Sequence, residues 1–353
     1  MGMILVNAAD LGGHGYAWLR HANWDGYNLA DSVFPGFLFI MGVAMGISLQ
    51  AHVRAGLPQK ALYPRILRRT LLLFGLGLML NGFFAHGLGD LRVMGVLQRL
   101  SLCYFLAASM LLHLTQRVQL LAAAGLLLGY WILLAFIPVP QLAGDSSLIA
   151  NNWPAYIDRA LLGPAHLLGE SPYLARIDPE GVLATLPAVV NVLFGAMAGR
   201  LLSTAQTRTE TSLRLGALGV AGGVLGIAFG QLLPINKALW SSSFVLLSSA
   251  VAALGLALCY ELVDVRGVQR LARPLEVLGL NAISAYLLST LIDALAIRWH
   301  VLTGRGPVTL YDFWLSASKL APGDAAFVFA IVQVTLVWAS VHAMQLRGWI
   351  LKI

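Results

Sequence analysis

Apolar residues along the chain fall into nine runs of about 20 residues, the length with which an α-helix crosses the hydrocarbon core of a bilayer. Polar or charged segments separate these runs, and no alternating, strand-like pattern extends over a useful length. The pattern predicts an all-α fold, a membrane helix bundle with nine full spans and a partial N-terminal helix. The predicted spans cover residues of about 31–51, 66–84, 93–114, 119–138, 182–202, 213–233, 239–260, 274–297 and 325–345.

The first residues, MGMILVNAADLGG, differ from these runs because only about six apolar residues precede Asn7. The segment has no basic region and no small-residue cleavage site, so it does not resemble a secretory signal peptide. We expect it to form the last turns of a helix whose beginning is missing from this chain. A short re-entrant segment is the alternative.

The composition supports a polytopic membrane protein. Of the 353 residues, 58% are hydrophobic and 11% are charged, whereas roughly 25% of the residues in soluble domains are charged. Cys103 and Cys259 lie singly within apolar runs, so we expect small core residues and no disulfide.

Lysine and arginine concentrate in alternate connections between the predicted spans. Cytoplasmic loops of membrane proteins carry an excess of these residues, so the net charge of +7 indicates orientation in a membrane rather than nucleic-acid binding. The face with 14 of the 23 basic residues is predicted to be cytoplasmic; it holds Arg54, Lys60, Arg65, Arg68, Arg69, Arg117, Arg200, Arg208, Arg214, Arg266, Arg270, Arg273, Arg347 and Lys352.

The longest predicted outer loops cover residues of about 139–181 and 298–324. The first loop is expected to hold a short amphipathic helix near residues 155–162, which rests on the membrane or caps the bundle. No convincing internal repeat is present, and the simplest account is one domain that covers residues 1–353.

Residues 20–42, RHANWDGYNLADSVFPGFLFIMG, place polar side chains at the outer lip of the first full span. Polar groups at that depth are costly and usually functional. His21 is the leading catalytic candidate, either as a base at neutral pH or as a transient acyl carrier. An interfacial, hydrogen-bonded histidine is the alternative, and Asn28 or Asp31 is alternatively the N-cap of the following helix. The partners able to fix the tautomer of His21 are Asn7, Asp25, Asn28 and Asp31.

Arg92 and Arg99 are seven residues apart and lie on nearly the same face of a predicted helix. Arg92 either snorkels to the interface or binds a ligand. Arg99, about two turns deeper, needs a carboxylate, a phosphate or a carbonyl-rich ligand. Downstream, IDPEGVL predicts a helix start with Asp178 as N-cap. Alternatively, Asp178 and Glu180 contact an amine- or hydroxyl-bearing substrate at the outer mouth.

The turn LPINKALWS carries Asn236, Lys237 and Trp240. A membrane-interface belt explains Trp240 well but explains Asn236 and Lys237 less well, so all three remain candidate substrate contacts. Asn281 lies within the predicted span 274–297. Its side chain either forms a hydrogen bond between helices or contacts the substrate. The sequence contains no zinc-type spacing, Walker loop or nucleophile elbow, and no metal is expected.

Five stretches together resemble the heparan-α-glucosaminide N-acetyltransferase family and its bacterial relatives. They occur in the family's order and cover nearly the whole chain. The stretches are HANWDGYNLADSVFPGFLFIMG, RVMGVLQRLSLCYF, IDPEGVLATLPAVVNVLFGAMAG, LPINKALWSSSFV and LGLNAISAYL.

The resemblance implies transmembrane acetylation. Acetyl-CoA would enter from the cytoplasm, and the acetyl group would reach an amino sugar or glycan on the periplasmic side of a bacterial inner membrane. The family's active-site histidine matches His21, and its asparagine at the end of the first helix matches Asn7. Asp31 also fits the pattern. Relatives can carry Asn at the position of Asp25, so the predicted catalytic set is His21, Asn7 and Asp31.

The resemblance also suggests where the substrates bind. Phosphates of CoA would contact Arg65, Arg68 and Arg69 at the basic inner face, and Arg92 and Arg99 are further candidates for binding this co-substrate. His21 would deprotonate the acceptor amine or take the acetyl group itself, while Asn7 polarises the thioester carbonyl.

Two alternatives remain open. A transporter of sugars or glycan fragments would use the polar residues Arg99, Asn191 and Asn281 along its path, although the sequence shows no clear pair of broken helices. An O-acyltransferase of an envelope polysaccharide would keep the chemistry and change the acceptor. The expected partners are the lipid bilayer and the glycan, no nucleic acid is expected, and a homodimer is compatible with the sequence.

Overall fold

The structure is a computed structural model that describes residues 1–56, 58–83, 85, 87–140, 151–168, 177–204, 207–303 and 306–351. Parts of both predicted outer loops, residues 141–150, 169–176 and 304–305, lie outside the described residues. Lys352, which contributed to the charge pattern, also lies outside the described residues.

Helices dominate the described part of the chain, as predicted. A short antiparallel hairpin, which the sequence did not predict, pairs β1 (His300–Thr303) with β2 (Gly306–Thr309). The α-helices are α1 (Gly2–Ala9), α2 (Val33–Arg54), α3 (Tyr63–Gly82), α4 (Val96–His113), α5 (Gln116–Phe136), α6 (Trp153–Leu162), α7 (Thr185–Thr204), α8 (Arg208–Phe229), α9 (Ser242–Tyr260), α10 (Gln269–Leu280), α11 (Ala282–Arg298), α12 (Leu310–Ala317) and α13 (Pro322–Leu346).

Seven helices among the described residues are long and apolar enough to cross a membrane, or eight if the bent pair α10 and α11 forms one span. The chain is therefore a multi-pass membrane protein, but the predicted number of nine spans is not confirmed. The remaining predicted span corresponds to α3. Arg65, Arg68 and Arg69 fall within every 18-residue stretch of this helix, which makes it less apolar than the others.

Two local predictions have opposite outcomes. The amphipathic helix expected near residues 155–162 is confirmed as α6, which begins after Asn152, whose side-chain oxygen accepts the Ala155 N–H at 2.9 Å. The helix start expected at Asp178 is wrong, because α7 begins at Thr185 and turns precede it. The Asp178 carboxylate binds a distant arginine instead of capping a helix.

The chain divides into two compact units. The larger unit comprises Ala22–Tyr27 and Phe34–Gly267, and the smaller unit comprises Met1–His21, Asn28–Val33 and Val268–Ile353.

In the larger unit, α2 and α7 approach each other through glycines. A Cβ atom added at Gly195 would lie 2.8 Å from the carbonyl carbon of Phe39, so only glycine permits this approach. The two helices share the small-xxx-small pattern of tightly packed membrane helices. These glycines therefore pack closely, whereas Gly75 on α3 faces open space. The glycine seam consists of Gly42 and Gly46 on α2 with Gly195 and Gly199 on α7.

In the smaller unit, α1 packs against α13, and apolar residues of α10, α11 and α13 form a core with Ile4. Helices α10 and α11 meet at a bend of 82°. The prediction of one span over 274–297 is therefore not confirmed, since the two helices form either a broken span or a re-entrant segment. Asn281 lies at the break, where its φ of −122° and ψ of 39° depart from helical values.

Candidate active site

His21 and Asp31 form a hydrogen-bonded pair in the smaller unit. His21 Nδ1 lies 2.8 Å from Asp31 Oδ1, the Asp31 side chain is 0% exposed, and the His21 side chain is 39% exposed. An ionised carboxylate only accepts hydrogen bonds, so Nδ1 of His21 donates and a neutral ring keeps its basic lone pair on Nε2. The arrangement is that of a histidine oriented by a buried acid.

The chain around this pair is fixed by local hydrogen bonds. The Asn28 N–H donates to Asp31 Oδ2 at 3.0 Å, and the Asn28 side-chain amide donates to the carbonyl of Arg20 at 3.0 Å. Asn28 precedes a 3₁₀ turn, Leu29–Ser32, that leads into α2. The predicted cap and the predicted histidine partner are therefore both present, because Asp31 uses one oxygen for each.

The two other residues considered with His21 have different positions. Asn7 is half-buried on α1, in the same unit as His21. Asp25 belongs to the larger unit, where its carboxylate accepts the Asn236 side-chain amide at 3.1 Å.

Asn236 itself is buried and has its hydrogen-bonding groups occupied. Its N–H donates to the Ser241 hydroxyl at 3.0 Å, and its side-chain oxygen accepts the Leu239 N–H at 2.9 Å. These bonds assign Asn236 a role in the turn before α9. Its predicted contact with substrate stays a prediction.

Arg92 is clamped by the two carboxylates that the sequence suggested as substrate contacts. Its Nε donates to Asp178 Oδ2 at 2.8 Å, and its Nη2 donates to Asp178 Oδ1 and Glu180 Oε2 at 2.5 Å each. Burial alone would lower the pKa of Arg92, but the two carboxylates outweigh it and the pKa is raised. Burial alone would raise the pKa of Glu180, but Arg92, Arg99 and Lys237 outweigh it and the pKa is lowered. The three residues form an ion-paired group in which the two carboxylates outnumber the one guanidinium.

Arg99 is fully buried on α4, with its guanidinium carbon 4.6 Å from the centre of the Trp240 ring. Its Nη2 donates to the Gly181 carbonyl at 3.1 Å, while Nε and Nη1 have no partner among the described residues. The Trp240 indole N–H donates to Asn191 Oδ1 at 3.0 Å. The interface-belt explanation of Trp240 is wrong, since this ring is buried beneath an arginine.

A cavity of about 270 Å³ lies in the larger unit between α2, α3 and α4. Two of the three arginines predicted to bind CoA phosphates, Arg65 and Arg69, line it, while Arg68 is exposed and does not. The Arg69 guanidinium stacks 4.7 Å from the centre of the Tyr104 ring. The cavity combines cationic side chains with an apolar wall; its other lining residues are Met41, Ala44, Met45, Ser48, Leu49, His52, Leu62, Ile66 and Ala108.

No family model matches the chain. The chain is 31% identical over 335 residues to human heparan-alpha-glucosaminide N-acetyltransferase, with 80% of this chain and 50% of the human protein covered. It is 29% identical over 336 residues to the mouse protein of the same name, with 81% of this chain and 51% of the mouse protein covered. The chain thus spans about half the length of the curated relatives it matches. The resemblance to the heparan-α-glucosaminide N-acetyltransferase family is confirmed.

In this relative of heparan-α-glucosaminide N-acetyltransferase, the two remaining predicted contacts lie in different units. Lys237 is half-buried in the larger unit, and its charge lowers the pKa of Glu180 as noted above. Asn281, in the smaller unit, accepts the Leu351 N–H at 3.1 Å, and its Nδ2 lacks a partner within the described ranges. Among the described residues, no three histidine, cysteine or acidic side chains cluster as metal ligands.

Sequence reasoning missed Asp158, on α6. Its side chain is fully buried, Oδ1 accepts the Val182 N–H at 2.8 Å, and Oδ2 has no partner in the described part of the chain. Burial raises its pKa to about 6. The helical spacing held a signal, because Asp158 lies three residues after Ala155 on the face that α6 buries.

Proposed function

We propose that the chain is a membrane-embedded acyltransferase that moves an acetyl group from cytoplasmic acetyl-CoA to an amino sugar or glycan on the periplasmic side of a bacterial inner membrane. The relatives it matches are N-acetyltransferases by name. The observation that carries the proposal is the His21–Asp31 pair, a half-exposed imidazole held by a fully buried carboxylate.

His21 supplies the base that this reaction needs. At neutral pH a free amine is largely protonated, so a nearby group must accept its proton. Once the ammonium proton has left to solvent, Nε2 of His21 would take a second proton from the neutral amine as its nitrogen bonds to the acetyl carbon and the carbon–sulfur bond breaks. The proton would then pass to the departing thiolate. Alternatively, Nε2 itself takes the acetyl group and yields it to the amine in a second step. Asp31 would stabilise the imidazolium, and the Asn7 amide would donate to the thioester carbonyl.

The cavity beside α2 supports a site for acetyl-CoA. Arg65 and Arg69, which line it, would bind phosphate oxygens. The lining of methionine, leucine and alanine suits the less polar arm of the donor. Arg92 is the weaker candidate for this role, because two carboxylates already neutralise it.

The orientation rests on the distribution of charge. If α3 crosses the membrane with the seven apolar helices and the bent pair, the 14 basic residues of the predicted inner face lie on one side. Arg65 and Arg69 would then face the cytoplasm, where acetyl-CoA is made available.

The test is acetyl transfer from labelled acetyl-CoA to glucosamine by purified protein in lipid nanodiscs. We expect His21→Ala to lose roughly 10²–10⁴-fold in rate. His14→Ala, an exposed histidine in the same unit, is the matched control and should keep the wild-type rate. An undiminished rate in His21→Ala would rule out the assignment. Label on the protein without an acceptor would favour the acyl-histidine route, and transfer to a hydroxyl acceptor would favour O-acylation.

One observation favours a transporter as the second candidate. The bend of 82° between α10 and α11 is of the kind that forms substrate sites in transporters. Such transporters use two broken helices, one in each half of the protein. The described residues contain one break of this kind, between α10 and α11. Uptake of labelled glucosamine into proteoliposomes without acetyl-CoA would support this function.

A further inference from the structure

Three aromatic side chains cluster in the smaller unit, on the segment that leads to His21. The rings of Tyr16 and Trp18 are nearly parallel, with 16° between their planes and 6.4 Å between their centres. Phe327 on α13 supports both, with its ring centre 6.1 Å from that of Tyr16 and 6.5 Å from that of Trp18. Trp18 remains 52% exposed and Tyr16 38% exposed. We call this surface, formed by Tyr16 and Trp18, the aromatic platform.

The platform is fixed rather than loosely attached. The Tyr16 hydroxyl donates to the Asp324 carboxylate, and the neighbouring Gly323 lies beside the Tyr16 ring, where an added Cβ would be in van der Waals contact with it at 3.5 Å. Next to Trp18, Leu19 is buried in the apolar core of the unit. These contacts hold two exposed rings in place before any ligand arrives, which reduces the entropy cost of binding.

The platform is close to the catalytic pair along the chain. Trp18 precedes His21 by three residues, so their Cα atoms lie within about 11 Å. A carboxylate accompanies the rings, since Asp324 accepts the hydrogen bond of the Tyr16 hydroxyl. Aromatic faces and carboxylates both attract an ammonium group, and tryptophan has the strongest cation–π interaction of the aromatic residues.

We propose that the aromatic platform binds the sugar ring of the acceptor, with the protonated amine over the Trp18 face and beside the Asp324 carboxylate. This inference rests on the proposed function, since it names the place where the amino sugar waits for His21. An exposed tryptophan at a membrane surface also serves as an interfacial anchor. The two roles differ in one respect, because an anchor needs only an apolar side chain while the platform needs an aromatic ring.

The experiment exploits that difference. We would compare Trp18→Leu, which stays apolar, with Trp18→Phe, which keeps an aromatic face. Trp299→Ala is the control, since Trp299 is 63% exposed in the same unit and has no ring contact within the described residues. For each nanodisc preparation we would measure the KM for glucosamine, the KM for acetyl-CoA and the Kd of glucosamine without acetyl-CoA.

We expect Trp18→Leu to raise both the KM and the Kd for glucosamine roughly 2- to 30-fold and to leave the KM for acetyl-CoA unchanged. Trp18→Phe should restore most of the affinity, and Trp299→Ala should match the wild type. Equal glucosamine affinity in Trp18→Leu and the wild type would overturn the platform while leaving acetyl transfer intact. Binding of glucosamine that depends on Trp18 but leads to no acetylation would support the platform and refute the proposed function.

Discussion

Asp158 should make the stability of the protein depend on pH. Its carboxyl is buried, and its pKa rises from 3.8 to about 6 in the folded chain. Burial is the main cause; Asp178 adds to it, while the Val182 N–H and Arg99 oppose it. A shift of about two pKa units corresponds to about 3 kcal/mol at 1.36 kcal/mol per unit.

Whether stability rises or falls with pH depends on which state, folded or unfolded, binds the Asp158 proton more tightly. Between pH 4 and 6 the folded state holds the Asp158 proton and the unfolded state releases it, so stability falls as pH rises. The loss of stability caused by ionising the buried Asp158 carboxyl is absent below about pH 4 and complete above about pH 6–7. Asp158→Asn cannot ionise, and its oxygen can still accept the Val182 N–H. Its new NH₂ group offsets part of the gain, since an unpaired buried donor costs about 1–3 kcal/mol.

Thermal unfolding of nanodisc samples across pH 4–8 tests this reasoning. The difference in stability between Asp158→Asn and the wild type should grow by about 3 kcal/mol from pH 4 to pH 8, a change in Tm on the order of 5 °C. Asp264→Asn, which alters an exposed carboxylate in the same unit, is the control. If the wild-type and Asp158→Asn curves run parallel over this range, the carboxyl is not held protonated by burial.

Three further experiments test the packing around two glycines and the proposed acetyl-CoA site. Gly181→Ala should destabilise the protein by about 1–3 kcal/mol, because the new Cβ would lie 2.8 Å from Asp158 Oδ1; the loss should vanish in an Asp158→Ala background, and an unchanged loss there would contradict the contact. Gly195→Ala should cost a similar amount at the glycine seam, whereas Gly75→Ala, in open space, should be neutral or slightly stabilising by thermal unfolding. Arg69→Ala should raise the KM for acetyl-CoA roughly tenfold or more through loss of a charge-assisted hydrogen bond, and an unchanged KM would remove the cavity from the donor site.

Contacts between residues near each other in the sequence were the ones that could be predicted. His21 and Asp31 are ten residues apart, and their pairing follows from a short polar segment that must turn into a helix. Apolar runs located the long helices, because the membrane imposes length and hydrophobicity on each. The break at Asn281 was not predicted, since one polar residue in an apolar run does not indicate a bend of 82°.

Partners distant in sequence could not be predicted. Arg92 and Asp178 are 86 residues apart, and the local pattern around Asp178 was that of a helix cap. The carboxylate binds the half-buried Arg92 instead, which outweighs the local preference. The interface location expected for Trp240 was wrong for the same reason. A tryptophan near a span end suits both the membrane surface and a buried stack on Arg99.

The glycine seam has a mechanical consequence for the cavity beside α2. Gly42 and Gly46 bring the backbone of α2 into direct contact with that of α7, so these two helices form one rigid unit. Met45 and His52, on α2, belong to the fixed wall of the cavity. Any widening to admit a bulky donor would therefore come from the opposite wall, on α3 and α4, which are joined by the Arg69–Tyr104 stack and by the hydrogen bond from the Ser101 hydroxyl to the Thr70 carbonyl.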